Sequence, residues 1–193
     1  MNVELFNKNV KLAFTAVLVL AISQILLPFV DLLGGAQSVA NSAGAGSGSF
    51  WVIVRWLVNI AYLAGVAGFC YVMFVLKDVV EGSAKEAVNL VFIGAAIATG
   101  AAILDFFLGG ILMALIGIGV AVVYLLGYNK MKVAAELPDT AKAGAGLCSI
   151  AAILMLIGAV LCLIPLLGAI INFILLIPAY IILILGWKKA VVA

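Results

Sequence analysis

The fold of this chain is decided by 41 consecutive residues that carry no charge. Residues 147–187 read LCSIAAILMLIGAVLCLIPLLGAIINFILLIPAYIILILGW, with Gly168 and Ala169 near the centre. A helix needs about 20 apolar residues to cross the roughly 30 Å hydrocarbon core of a bilayer, so this stretch is long enough to cross twice. It predicts a hairpin of two transmembrane helices joined by a tight turn.

A second apolar stretch of the same length, with Asp105 as its one charged residue, precedes it. Residues 88–128 carry Gly109 and Gly110 near their middle, and a shift of 59 residues without a gap superposes Gly109 on Gly168 and Gly127 on Gly186. Two explanations are open: a duplicated hairpin, or the composition that any hairpin rich in Leu, Ile, Ala and Gly shares. A two-span repeat would copy itself in the same orientation, unlike the inverted repeats of many carriers.

The N-terminal part adds two more spans. One runs over residues 12–30 and the other over residues 50–76, and an uncharged Gly/Ser loop at residues 36–49 joins them. The predicted fold class is therefore all-α: a polytopic membrane protein with six transmembrane helices arranged as three hairpins, at about 12–76, 88–128 and 147–187. Residues 1–193 form one integral membrane domain.

The basic residues predict the orientation. Nine of the ten Lys and Arg residues lie in four segments that alternate with segments almost free of positive charge. Because positive loops stay in the cytoplasm, both termini and the basic loops are predicted to be cytoplasmic, in the cytoplasmic (inner) membrane of the cell. The nine residues are Lys8, Lys11, Lys77, Lys85, Lys130, Lys132, Lys142, Lys188 and Lys189.

Composition excludes several classes of protein. With 68% apolar and 9% charged residues, the chain has too little polar surface for a water-soluble domain, and the lipid bilayer is its first expected partner. The lysines flank spans and form no continuous basic stripe, so no nucleic-acid partner is predicted.

The sequence also lacks the residue patterns of catalysis. It has no histidine, no Cys/His ligand cluster, no phosphate-binding Gly-rich loop and no nucleophile beside a base. We therefore predict no enzymatic activity, no metal and no cofactor. Cys70, Cys148 and Cys162 fall inside the spans and are expected to be small core residues.

Local signals refine the helices and their packing. Ser83 and Glu86 have the spacing of a capping box that opens the third span. Tyr128 and Trp187 lie at the cytoplasmic headgroup level, where amphipathic rings of an aromatic belt settle. Small residues four apart, such as Ala61 and Gly65, predict close helix packing, with contacts inside one chain favoured over contacts between chains.

Three charges depart from the cytoplasmic pattern. Asp31, Arg55 and Asp105 all lie near the predicted outer ends of spans, and each is at the helix end that disfavours its charge. Asp31 and Arg55 end neighbouring spans, so we expect them to form an ion pair. Asp105 then lacks a partner unless Arg55 bridges both acids.

Polar residues at similar depth extend this set. Arg55, Asn59 and Tyr62 are spaced to share one helix face. We call the whole set the outer polar cluster, and it is a structural network, an outward-facing binding site, or a contact with another subunit. Its members are Gln24, Asp31, Arg55, Asn59, Asp105 and Asn172.

Two functions follow as hypotheses. The first is a non-enzymatic component of a homo-oligomeric membrane assembly, which could form a pore, or an accessory subunit of a larger membrane complex. The alternative is a small-solute transport or uptake subunit whose polar site lies in the outer half of the membrane.

Overall fold

The computed structural model of the protein describes residues 3–42, 49–105, 111–164 and 167–191, and this part of the chain is all-helical. All six helices are long and apolar enough to cross a membrane, as the sequence predicts. Those that contain 23 residues measure about 34 Å along the axis, slightly more than the hydrocarbon thickness. The helices are α1 Val3–Ser42, α2 Ser49–Val79, α3 Gly82–Leu104, α4 Ile111–Val133, α5 Asp139–Leu161 and α6 Leu167–Lys189.

Two predicted boundaries are wrong. Helix α1 continues to Ser42, through the first half of the predicted loop at residues 36–49; residues 43–48 of that loop lie outside the described residues. Helix α6 begins at Leu167, so the turn predicted at Gly168 and Ala169 comes earlier in the chain. The loop was predicted from an uncharged run rich in Gly, Ser, Ala and Asn, and the turn was predicted from Gly168; the helix penalties of these residues, about 1 kcal/mol or less each, are small enough for the surrounding structure to override. The turn predicted at Gly109 and Gly110 lies outside the described residues.

The helices form a closed ring. In the part of the chain that the structure describes, the backbone of each helix lies close only to those of the helices before and after it, and α1 lies beside α6. The α1/α6 interface is the smallest of the six, and it includes an edge-to-face contact of Phe29 with Phe173, whose ring centroids are 5.6 Å apart. The interfaces α2/α3 and α4/α5 are extensive, so the three hairpins are not separate units of packing.

Neighbouring helices run antiparallel. Gly65 of α2 lies against Leu20 of α1, and further along, Gly34 of α1 lies against Trp51 near the start of α2. We call the end of the ring where α2, α4 and α6 begin the Arg55 end, and the opposite end the lysine end. Lys77, Lys130 and Lys188 all lie in the last turns of helices that finish at the lysine end.

Glycines set the closest approaches between helices. A Cβ on Gly127 of α4 would lie 3.0 Å from the backbone nitrogen of Val91 in α3, and a Cβ on Gly186 of α6 would lie 3.1 Å from that of Cys148 in α5. A Cβ on Gly65 would lie closer still, 2.7 Å from the backbone nitrogen of Leu20, which confirms that this small residue packs within the chain. Gly100, by contrast, has no atom of another helix within reach of a Cβ.

These contacts revise the internal repeat. Gly186 lies 59 residues after Gly127, but the residues that these glycines pack against, Val91 in α3 and Cys148 in α5, lie 57 residues apart. The alignment without a gap is therefore wrong in register for α3 and α5, and it needs a gap of two residues in the turn. With the 57-residue shift, seven of the 23 helix positions are identical. They are the pairs Ala84/Ala141, Lys85/Lys142, Leu90/Leu147, Ile93/Ile150, Ala95/Ala152, Ala102/Ala159 and Leu104/Leu161.

The outer wall of the ring is apolar. Ile53, Ile60 and Ile174 are each more than half exposed, and many other large aliphatic side chains share that outward position. An apolar surface of this extent would be unstable in water but matches lipid tails. The described helices thus form a membrane protein with lipid around the ring.

At the lysine end, Glu136 from the segment between α4 and α5 caps the start of α3. The backbone N–H and the hydroxyl of Ser83 donate hydrogen bonds to the Glu136 carboxylate at 3.0 and 2.6 Å. Gly82 precedes Ser83 with a φ of 57°, and a Cβ there would collide with the same carboxylate. The capping box predicted between Ser83 and Glu86 is therefore wrong, because a residue distant in sequence supplies the acceptor.

This cap predicts a pH-dependent stability. The Ser83 hydroxyl, helped by backbone donors, lowers the pKa of Glu136 to about 2. The carboxylate therefore contributes stability fully above its ordinary pKa of 4.5, and loses that contribution as the pH falls towards 2. We expect Glu136→Gln to melt at a lower temperature than the unmodified chain near pH 6, and at the same temperature near pH 2.

The measurement is thermal unfolding in detergent across that pH range. Glu81→Gln is the matched control, since Glu81 is the N-cap residue of α3 and makes no side-chain cap hydrogen bond. If the melting temperatures of Glu136→Gln and the unmodified chain differ by the same amount at every pH, the proposed role of the carboxylate is wrong.

Candidate functional site

The outer polar cluster begins on one face of α2. Arg55, Asn59 and Tyr62 follow one another at helical spacing, and all three line the same cavity. Gln24 of α1 and Asp105, the C-cap residue of α3, complete its polar wall. The face predicted from the sequence thus turns inward, towards the space between α1, α2 and α3.

The predicted ion pair is present. The Nε of Arg55 lies 3.1 Å from Oδ1 of Asp31, which joins α1 to α2 at the Arg55 end. The two side chains are 61% and 43% exposed, so in water such a pair would contribute at most about 1 kcal/mol. It fixes the direction of the guanidinium group more than it stabilises the fold.

The expectation that Asp31 lies at a helix end that disfavours its charge is wrong. Asp31 lies inside α1, eleven residues before its last residue, so the dipole of a helix terminus does not act on it. The argument does hold for Asp105, whose carboxylate sits at the C-terminus of α3. Among the described residues Asp105 forms no salt bridge, although it lies close enough to Arg55 to feel its charge.

Asn172 reaches the site from the opposite side of the ring. It lines a larger cavity of about 620 Å³ that also borders Gln24, Tyr62 and Asp105, and side chains from all six helices contribute to its wall. Gly158 of α5 leaves the space into which the Asn172 side-chain oxygen packs. Five residues of the outer polar cluster therefore line connected space at the Arg55 end, and Asp31 joins them through Arg55.

The cavity continues towards the middle of the ring with an apolar wall. Its deeper part, about 130 Å³, is lined by residues such as Val17, Val66 and Met155. Four of the five tyrosines of the chain also line it, and they come from α2, α4 and α6. These are Tyr62, Tyr124, Tyr128 and Tyr180.

Four aromatic residues close the space at the lysine end. Phe69, Tyr124, Tyr128 and Trp187, which we call the aromatic plug, form a cycle of ring contacts with centroid distances of 6.2, 5.9, 6.4 and 5.4 Å. Between the aromatic plug and the lysine end, the ring is filled by buried side chains such as Leu76. The described residues therefore enclose a blind cavity, polar at the Arg55 end and closed towards the lysine end.

The aromatic plug corrects an expectation. Tyr128 and Trp187 were predicted to lie in an aromatic belt at the headgroups, yet each is only 2% exposed and faces the inside of the ring. Belt and plug positions occupy the same depth in a span, so depth alone does not distinguish them. The available signal was spacing: Tyr124 and Tyr128 are one helical turn apart, and Trp187 matches Tyr128 in the repeat.

The described side chains contain no group of three or more His, Cys, Asp or Glu residues that could hold a metal ion. What the arrangement offers is a space for a small molecule, with amides and charges at its mouth and aromatic rings within.

Fold and site together define a class: a six-helix membrane ring with a blind central cavity. Comparisons of the chain with family models, with curated proteins and with solved structures found no match.

Proposed function

We propose that this chain is a membrane-embedded binding protein that admits a small molecule to its cavity from the Arg55 end, as a solute transport or uptake subunit does. The observation that supports this proposal is the 620 Å³ cavity, whose wall is shared by all six helices. Its volume falls within the range of about 300–1,000 Å³ that is usual for small-molecule sites. A few polar groups at the mouth of an otherwise apolar cavity are also typical of such sites.

The geometry favours binding over a permanent pore. A pore through one chain would need an open lysine end, but the aromatic plug and the buried side chains below it fill that end. The closed ring also leaves the cavity complete within a single chain. Assembly into a homo-oligomer or a larger membrane complex stays a prediction.

The proposal includes an orientation. The lysines gather at the end of the ring opposite the polar cluster, and positive loops stay cytoplasmic. We propose that both termini are cytoplasmic and that the cavity opens to the outside of the cytoplasmic membrane. A ligand would then arrive from outside the cell.

Cysteine accessibility tests the proposal. In a chain whose three native cysteines are replaced by alanine, Ala121→Cys places a thiol on the deep wall of the cavity. We expect a water-soluble, membrane-impermeant methanethiosulfonate reagent to modify it from the outside of oriented vesicles. Ala151→Cys, which is equally buried but lines no described cavity, is expected to stay unmodified.

Filling the cavity supplies the second comparison. Ala98 lines the passage between the mouth and the deep wall, so Ala98→Trp is expected to slow modification of Ala121→Cys at least about tenfold. Ala96→Trp adds the same side chain to the exposed face of the same helix and should leave the rate unchanged. If Ala121→Cys is unreactive, or reacts equally with either tryptophan present, the proposed function is wrong.

A further inference from the structure

The charges at the mouth of the cavity do not balance. Arg55 is the one cation among the residues described there, and its guanidinium group is paired with Asp31. Asp105 lines both parts of the mouth and has no salt bridge within the described residues. Counting Arg55, Asp31 and Asp105, the mouth carries a net charge of −1. The potential there favours a positively charged ligand.

The wall beneath the mouth suits the same charge. Tyr62 borders Asp105 in the mouth and continues into the deep part of the cavity, where Tyr124 and Tyr180 also line the wall. Aromatic faces carry negative electrostatic potential and attract substituted ammonium groups within about 6 Å, more strongly where water is excluded. No Lys, Arg or His lines the deep part of the cavity in the described residues to compete for these rings.

The polar groups between mouth and wall can accept hydrogen bonds. Gln24 and Asn172 border the same space as Asp105, and each carries an amide oxygen. An anionic ligand would instead have to displace Asp31 from Arg55 while facing the Asp105 carboxylate. A purely apolar ligand would desolvate these polar groups without pairing them, which is unfavourable.

We propose that the ligand of this cavity is an organic cation, with a substituted ammonium group held between Asp105 and Tyr62 and an apolar body that lies against the deeper wall. This inference rests on the proposed function. It assigns Asp105 the role of counter-ion to the ligand, which explains a carboxylate placed at the unfavourable end of α3.

The test is protection of the Ala121→Cys thiol. Alkylation by the neutral reagent N-ethylmaleimide is timed with and without benzyltrimethylammonium, an organic cation of suitable size. We expect the cation to slow alkylation at least about fivefold at saturation, as occupancy of the cavity requires. Its neutral carbon isostere, neopentylbenzene, and the anion benzenesulfonate are expected to give little protection.

Variants then assign the roles. Asp105→Asn should raise the concentration needed for half protection by about tenfold, while Asp78→Asn, the same change at the lysine end, should not. Tyr62→Phe keeps the aromatic face and should retain protection, whereas Tyr62→Leu should lose it. Tyr71→Leu is the control on the outer wall, where Tyr71 is 66% exposed.

The outcomes separate the two proposals. A thiol that reacts but is protected equally by cation and neutral isostere, or better by the anion, overturns the organic-cation inference and leaves the cavity proposal standing. A thiol that does not react overturns the cavity proposal itself. If Asp105→Asn fails to fold, the comparison of cation and isostere on the chain with Asp105 intact still decides.

Discussion

Replacing Gly144 by alanine is expected to destabilise the ring by about 1–3 kcal/mol, the usual cost of forcing an extra methyl group into packed structure. The new Cβ would collide with the carbonyl oxygen of Gly186 and lie 3.0 Å from the backbone nitrogen of Ala190. Since backbone atoms of α6 cannot rotate away as a flexible side chain can, α5 and α6 must separate. Separation also forfeits the van der Waals contact that drives helix association in lipid.

The measurement is unfolding in mixed detergent micelles with increasing sodium dodecyl sulfate. Gly119→Ala is the matched control: it also lies within a long helix, but a Cβ there meets no atom of another helix within 4 Å. Its higher helix propensity should leave stability unchanged or raise it by up to about 1 kcal/mol. Equal stability of the two variants would contradict the close contact of α5 with α6.

Trp187→Ala is expected to have the largest effect of any single truncation, a loss of about 3–5 kcal/mol. Trp187 is the largest of the fully buried side chains and contacts two other rings of the aromatic plug, Phe69 and Tyr128. Its removal leaves an apolar hole that neighbouring helices, tied by close glycine contacts, cannot readily collapse to fill.

The cavity left by Trp187→Ala should bind a small aromatic molecule that resembles the missing side chain. Indole added to Trp187→Ala is expected to raise its melting temperature, because an apolar engineered cavity binds small aromatic molecules. Tyr71→Ala removes an aromatic side chain from the exposed outer wall, and we expect it to cost little and to show no response to indole. A Trp187→Ala chain as stable as Tyr71→Ala would show that the plug contributes no packing energy.

The sequence predicts the helices well because hydropathy acts locally. A run such as residues 147–187 cannot leave the bilayer, whatever the rest of the chain does. The pairing of Asp31 with Arg55 was also predictable, since both residues lie near the same ends of two consecutive spans and opposite charges in a membrane pair. The wrong end of α1 has an equally local cause: the composition of residues 36–42 indicates a loop, but a helix that is already formed continues through them.

Ring closure and the cavity were not predictable because they depend on rotation of each helix about its axis. All six spans have a high mean hydropathy, between 1.9 and 2.4, so the apolar residues do not show which side of a helix points inward. Tyr128 illustrates the difficulty, since an aromatic ring at that depth suits the lipid interface and the ring interior equally well. Polar residues are more informative: Gln24, Asn59 and Asn172 cannot face lipid tails cheaply, and they do border the cavity.

The contact of α1 with α6 bears on how the protein is made. Every other pair of neighbouring helices is joined by a connecting segment, whereas α1 must wait for α6, which follows the other five helices in the chain. Until α6 enters the bilayer, the cavity is a groove open sideways to lipid acyl chains. The wall of the cavity is therefore complete only when α6, the last of the six helices in the chain, packs against α1.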